Sequence, residues 1–258
     1  MHTIAVTNQK GGVGKSVISV NLAYGLAQKG KPTLLIDIDP QAHSTVIYCE
    51  PNSEYTATDL FLSKSFDISK AIYPAKVKGH VVNDLYILPA NLRLAATAEQ
   101  IAARVHREKL LARALQSVED KYDYAIIDCP PTLGVLVING IYAADEFLIP
   151  VAPSKYALDG VGDLFDVIEE VKETTEFNYR IVRNIYDSRN SQTNSYIESE
   201  LEAVRARVMS TIIKRTEAVN QAVCVDQPVF LYDPKGKGSE DFLNFIDEVV
   251  YGKEYVRQ

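Results

Sequence analysis

Apolar residues in this chain fall into short runs that alternate with stretches of helical spacing. Ile4-Ala5-Val6-Thr7 is a compact apolar run ending at a glycine-rich turn. Over residues 16–28 the spacing of Val17, Val20, Leu22 and Leu26 predicts a helix, which Gly30 stops. Leu34-Leu35-Ile36 reads as a second buried strand and ends in Asp37-Ile38-Asp39-Pro40. Strand, glycine turn, helix and strand open a βαβ unit, which requires a parallel sheet.

The rest of the pattern continues the alternation. Residues 50–84 read as a loop with a short helix near Ala57–Leu62, followed by a strand at 85–88 and a long helical stretch over 93–117. A strand at 125–128 leads through Pro130-Pro131 into a helix reaching Ile141. A strand at 147–151 and an amphipathic helix over 158–171 come next. Strands are predicted at 180–185 and 208–213, and helices at 195–206 and 238–250. No linker, internal repeat or low-complexity segment interrupts the series. The expected fold is α/β: a doubly wound, mostly parallel sheet with helices on both faces, in one domain spanning residues 1–258.

Composition adds limits. A chain of 258 residues with 47% hydrophobic content has enough apolar side chains for a full core. No segment approaches 18 consecutive apolar residues, and the start lacks a basic region followed by a cleavage site, so neither a spanning helix nor a signal peptide is expected. Cys49, Cys129 and Cys224 are widely spaced with no CxxC, which reads as reduced thiols in a cytoplasmic protein. The net charge of −7 excludes a surface coated in basic groups. Any nucleic-acid binding must come from a local patch on an acidic background.

The candidate chemistry starts at Lys10-Gly11-Gly12-Val13-Gly14-Lys15-Ser16, where a strand hands over to a helix. The glycines let successive N–H groups turn toward one anion, and the helix amino terminus adds its positive dipole end. Lys15 is placed to reach β- and γ-phosphates, and the Ser16 hydroxyl to ligate Mg²⁺. The loop departs from GxxxxGK[ST], with Gln9 in place of the first glycine and Lys10 after it. Two lysines 4 Å apart repel by about 4 kcal/mol at an effective dielectric near 20. A nucleotide's charge offsets this if both converge on it; otherwise Lys10 points to solvent or to a second subunit. Asp128 ends an apolar strand, the arrangement that holds Mg²⁺ through water. Asp37 and Asp39 end the neighbouring strand, where one of them is in place to orient an attacking water.

Three segments carry a family resemblance: 8–16 (NQKGGVGKS), 35–41 (LIDIDPQ) and 123–131 (DYAIIDCPP). They resemble the deviant Walker A, switch I and switch II motifs of the ParA family of DNA-partitioning ATPases, within the wider ParA/MinD class. Leu88-Pro89-Ala90-Asn91, Tyr156-Ala157-Leu158-Asp159-Gly160 and the segment 228–234 (PVFLYDP) extend the likeness nearly end to end. The resemblance implies slow ATP hydrolysis with Mg²⁺ and nucleotide contacts along Lys10, Gly11, Gly12, Val13, Gly14, Lys15, Ser16 and Val17. It implies that Lys10 crosses to the partner's nucleotide in an ATP-sandwich homodimer. By position, Asp39 matches the aspartate that places the hydrolytic water, Asp37 supports the Mg²⁺ shell, Asn184 falls at the adenine, and Arg189 and Arg215 align with arginines used for nonspecific DNA. The implied setting is cytoplasmic and nucleoid-associated, with a ParB-like centromere-binding partner.

Four positions depart from the family pattern. Val17 replaces a threonine that usually bonds the α-phosphate, leaving its N–H for that contact. Lys214 stands for a proline of the base-binding loop, Ala218 for a second DNA-contacting arginine, and Gly236 for a common serine.

The tail 239–258 has apolar Phe242, Phe245, Ile246 and Val249, while Glu240, Asp241, Asp247 and Glu248 are expected on an acidic outer face. Such a face is repelled by anionic lipid, so the apolar stripe is expected to pack on the core, against the membrane association of MinD-like relatives. Arg183, Arg189, Arg205, Arg207, Lys214, Arg215, Lys235 and Lys237 form a late basic cluster for backbone-directed DNA binding, with glutamates among them. A nitrogenase-like iron–sulfur reductase shares the loop but needs paired cluster cysteines, which are absent. A ParA-like positioner of protein cargo remains a second reading.

Overall fold

The computed structural model describes residues 1–50, 53–154, 157–158 and 160–252, so Tyr156 and Asp159 of the 156–160 motif lie outside the described residues. The chain opens with β1 (His2–Val6), α1 (Lys15–Gln28), β2 (Thr33–Asp37), α2 (His43–Tyr48) and α3 (Ala57–Leu62). A hairpin of β3 (Tyr73–Val77) and β4 (His80–Leu88) follows, then α4 (Arg93–Ile101), α5 (Leu110–Gln116), β5 (Tyr124–Asp128) and α6 (Val135–Ala143). The last part runs β6 (Glu146–Val151), α7 (Val161–Lys172), β7 (Asn178–Tyr186), α8 (Ser191–Leu201), β8 (Val208–Lys214), α9 (Glu217–Cys224), α10 (Val229–Tyr232) and α11 (Lys237–Tyr251).

Among the described residues, eight strands join one sheet in the order β3-β4-β2-β5-β1-β6-β7-β8. Every pairing is parallel except β3 with β4. This is the doubly wound, mostly parallel sheet the sequence predicts. Side chains alternate between its faces with the two-residue strand period. Ala5, Leu34, Ile36, Ala125 and Ile127 enter one core with Leu94, Leu111, Ile141 and Leu164. Ile4, Val6, Leu35 and Ile126 enter the other with Ile18, Leu22, Leu26, Phe242 and Phe245. Register then aligns the strand ends. On β5, Asp128 pairs with Val6 of β1 on one side and with Asp37 of β2 on the other. The glycine loop therefore leaves the sheet directly beside two aspartates.

Four expectations need correction. The stretch 50–84 is more than loop and short helix, because it contains β3 and most of β4. Pro74 sits on the edge strand, where a missing N–H breaks no inner ladder. The 93–117 stretch is two helices, not one. No residue from 102 to 109 is buried, His106 takes φ 59°, and Arg104 instead bonds the carbonyls of Phe61 and Leu62 at 2.9 and 3.0 Å. The acidic outer face of the tail helix is half wrong. Phe242, Phe245 and Ile246 pack inward as expected, but so do Asp241 and Glu248. Glu248 accepts the N–H groups of Ser210 and Thr211 at 2.7 and 2.8 Å, and Asp241 that of Lys214 at 3.1 Å. The fourth concerns Arg183, which is buried and spends its guanidinium on Glu198 and the carbonyls of Met209 and Ser210. It adds nothing to a basic surface.

Candidate nucleotide-binding site

The loop between β1 and α1 is held in shape by its own backbone and by β6 and β7. Asn8 donates to the Pro150 carbonyl at 2.8 Å and accepts from the Lys10 N–H at 2.9 Å. Gly12 and Gly14 have φ of 74° and 84°, the left-handed region where a β-carbon is penalised. At Gly14 a β-carbon would also stand 2.4 Å from Asn184 Nδ2. That close approach lets Asn184 donate to the Val13 carbonyl at 2.8 Å. Gly14 then begins α1, whose first N–H groups face the loop.

A cavity of about 500 Å³ opens over this loop, lined by Gly11, Gly12, Gly14, Lys15, Ser16 and Val17 and faced by Asp39. Its far end is apolar, with Val46, Ile47, Val219 and Ala222. A groove of about 590 Å³ lies at the amino end of β7 around Phe177, Tyr179 and Arg207. It has no phosphate cradle, and its cation is stacked on Tyr179, so the smaller cavity is the candidate site.

Lys15 is nearly buried, and its amine reaches the Lys10 carbonyl at 3.2 Å. Burial lowers its pKa, opposed by the charges of Asp128, Cys129 and Asp39. Asp128 has no exposed surface. Burial pushes its carboxyl up, against hydrogen bonds from Ser44, Ser16 and Ser19. Asp37, beside it in register, is pushed well up by burial and by the Asp128 charge. Its Oδ1 accepts the Asp39 N–H at 3.0 Å, and its Oδ2 accepts the Thr45 N–H and hydroxyl at 2.9 and 2.7 Å. Asp37 thus braces the turn that carries Asp39, rather than facing the cavity. Asp39 Oδ1 accepts the Gln41 N–H at 2.9 Å.

The Ser16 hydroxyl, which lines the cavity and hydrogen-bonds the buried Asp128 carboxyl, offers the oxygen chemistry a hard dication takes. Among the described residues no three Asp, Glu, His or Cys side chains converge as a cage. Mg²⁺ itself keeps several waters and takes few protein ligands.

The structure thus gathers Lys15, Ser16, Asp39 and Asp128 at the carboxyl ends of β1, β2 and β5, and brings Asn184 to the same loop. Lys10 lies on the loop with its amine 2.5 Å from Ser154 Oγ, just past β6. Arg189 and Arg215 are elsewhere, both exposed and both near Asp187 after β7. Arg189 pairs with the Asp187 carboxylate at 2.7 and 2.9 Å. Three hydroxyls escaped sequence reasoning: Ser19, Ser44 and Thr45. One signal existed, a lone serine inside the apolar run Val17-Ile18-Ser19-Val20.

The AAA_31 family model, an AAA domain, matches residues 1–181. Sporulation initiation inhibitor protein Soj of Bacillus subtilis is 36% identical over 258 residues, covering 95% of this chain and 97% of Soj. The chain belongs to the ParA/Soj family of partition ATPases. Chromosome partitioning protein ParA of Myxococcus xanthus is 33% identical over 245 residues, covering 93% of this chain and 84% of that protein. Among solved structures, cobyrinic acid a,c-diamide synthase from Mycobacterium smegmatis with bound ATP analog and magnesium superposes with a TM-score of 0.77 at 28% identity, covering 100% of this chain and 97% of that one. Among the described residues of this ParA/Soj member, no helix is long and apolar enough to cross a membrane.

Proposed function

We propose that residues 1–258 act as one ATPase domain that binds Mg²⁺-ATP, hydrolyses it slowly and dimerises around it. The observation that carries this reading is the convergence of Lys15, Ser16 and Asp39 on one cavity over a glycine loop, with Asp128 buried behind Ser16. The loop N–H groups and Lys15 bind phosphate oxygens, and Ser16 and Asp128 hold the metal, Asp128 through water. Magnesium, when bound, neutralises charge on the transferring phosphate. Asp39 orients water for attack. Asn184 anchors the loop near the base, and Lys10 leaves Ser154 to reach the partner subunit's nucleotide.

Dimerisation places two copies of Arg189 and Arg215 on one assembly, which then binds DNA through its backbone in the nucleoid and moves plasmid or chromosomal DNA with a ParB-like partner. One observation favours the protein-cargo reading instead: Arg183 and Arg205 both pair with Glu198, which thins the basic patch.

Titration of unrelated duplexes with ATP and with ADP at several salt concentrations separates the two readings. Two or three phosphate contacts per subunit predict a slope of log affinity against log salt of about −4 to −5 with ATP. Arg189→Ala and Arg215→Ala weaken all sequences about equally. No binding of the ATP-bound dimer to any duplex at low salt leaves the cargo reading.

A further inference from the structure

Ser44 has no exposed surface, and its hydroxyl donates to Asp128 Oδ2 at 2.6 Å. The other oxygen, Oδ1, accepts from Ser19 of α1 at 3.1 Å. Asp128 is therefore gripped from two directions, by the helix that begins at the phosphate loop and by the helix that follows Asp39. The next residue on α2 repeats the contact on the neighbouring strand, since Thr45 bonds Asp37 through both its N–H and its hydroxyl. Thr45 Oγ1 in turn accepts the Ala90 N–H at 2.8 Å, which fixes that hydroxyl's direction. Asp37 then holds the Asp39 N–H. The contacts form one continuous path: Asp128 to Ser44, Ser44 to Thr45 along the chain, Thr45 to Asp37, and Asp37 to Asp39.

A carboxylate at a strand end can rotate about its side-chain torsions, and a short charge-assisted bond removes that freedom. We propose that Ser44 is a positioning residue of the metal-nucleotide site. Its hydroxyl fixes the plane of the Asp128 carboxylate and ties it to the segment carrying Asp39, so the metal-side and water-side carboxylates are ordered together. The inference rests on the nucleotide reading above. A serine that merely fills space beneath α2 would affect stability alone. A positioning serine sets how much Mg²⁺ is needed, as groups that orient a metal's ligands do.

The test is calorimetric titration of the full chain with the non-hydrolysable analogue AMPPNP over a series of Mg²⁺ concentrations, beside thermal melting. Wild type binds the analogue more tightly with Mg²⁺. Ser44→Ala raises the half-saturating Mg²⁺ concentration about tenfold and leaves metal-free affinity within about twofold. Ser44→Thr, which keeps the hydroxyl, returns most of the difference. If Ser44→Ala fails to fold, the near-isosteric Ser44→Cys, a weak donor, carries the same expectation at a smaller shift. Wild-type Mg²⁺ dependence in the Ala or Cys variant overturns the inference and leaves the nucleotide reading standing, as does a Thr variant no better than Ala. A wild-type chain indifferent to Mg²⁺ overturns both.

Discussion

Asn184 Nδ2 donates to the carbonyl oxygen of Val13 at 2.8 Å, so a residue of β7 clasps the glycine loop from across the sheet. The contact is buried, and it exists because Gly14 leaves no β-carbon in the way. Asn184→Ala leaves the Val13 carbonyl without this donor, at a cost of about 1–2 kcal/mol. Nucleotide affinity falls about tenfold where that cost loosens the loop. Gly14→Ala is more severe, since it adds left-handed strain to a clash. Fluorescent ADP titration checks both, and equal affinity for Asn184→Ala and wild type would remove the clasp from the account.

At the opposite end of the sheet, Glu146 pairs with Arg180 and accepts from His2 at 3.1 Å. Burial alone would raise its carboxyl, but the bonds from His2 and Arg180 outweigh that and hold it below the ordinary range. A carboxyl depressed in the folded state stabilises above its unfolded pKa, and the gain fades as pH falls through the folded value. Glu146→Gln keeps part of the hydrogen bonding and therefore costs about 1–3 kcal/mol at pH 7, a fall in Tm of roughly 2–4 °C for each kcal/mol. The gap between variant and wild type starts to narrow as pH falls past the unfolded carboxyl's value of about 4.3 and closes only below the lower folded value. Melting curves from pH 3 to 8 read this, and a gap independent of pH would contradict it.

How much of this was legible in the sequence depends on the distance between cause and effect along the chain. The β1–loop–α1 unit and the aspartates ending β2 and β5 are local, set by short apolar runs and their punctuation, and they stand where expected. The misses are set by partners far away in sequence. Arg183 reads as surface until Glu198 and the β8 carbonyls cover it. Glu248 reads as solvated until β8 offers it two N–H groups. Ser44 carries no signal of its own in the sequence, because the Asp128 it bonds lies 84 residues away along the chain. The hairpin strand β3 was hidden because an edge strand with Pro74 and Lys76 lacks a buried strand's apolar run.

Lys10 bonds Ser154 within its own protomer, and the proposed dimer draws it across. Lys10→Ala is expected to stay monomeric with a slowly hydrolysed ATP analogue while binding that analogue weakly. Sedimentation velocity decides the matter, and a variant that dimerises like wild type would make the lysine a simple loop charge.

Asp39 alone of the three strand-end aspartates faces the cavity, and in the proposed reaction it orients the attacking water. The most direct measurement is single-turnover ATP hydrolysis with Mg²⁺, beside nucleotide binding, for wild type and Asp39→Ala. Wild type is expected to hydrolyse ATP slowly, and Asp39→Ala to bind nucleotide within about threefold of wild type yet turn over at least about a hundredfold more slowly. Undiminished turnover by Asp39→Ala would contradict that role.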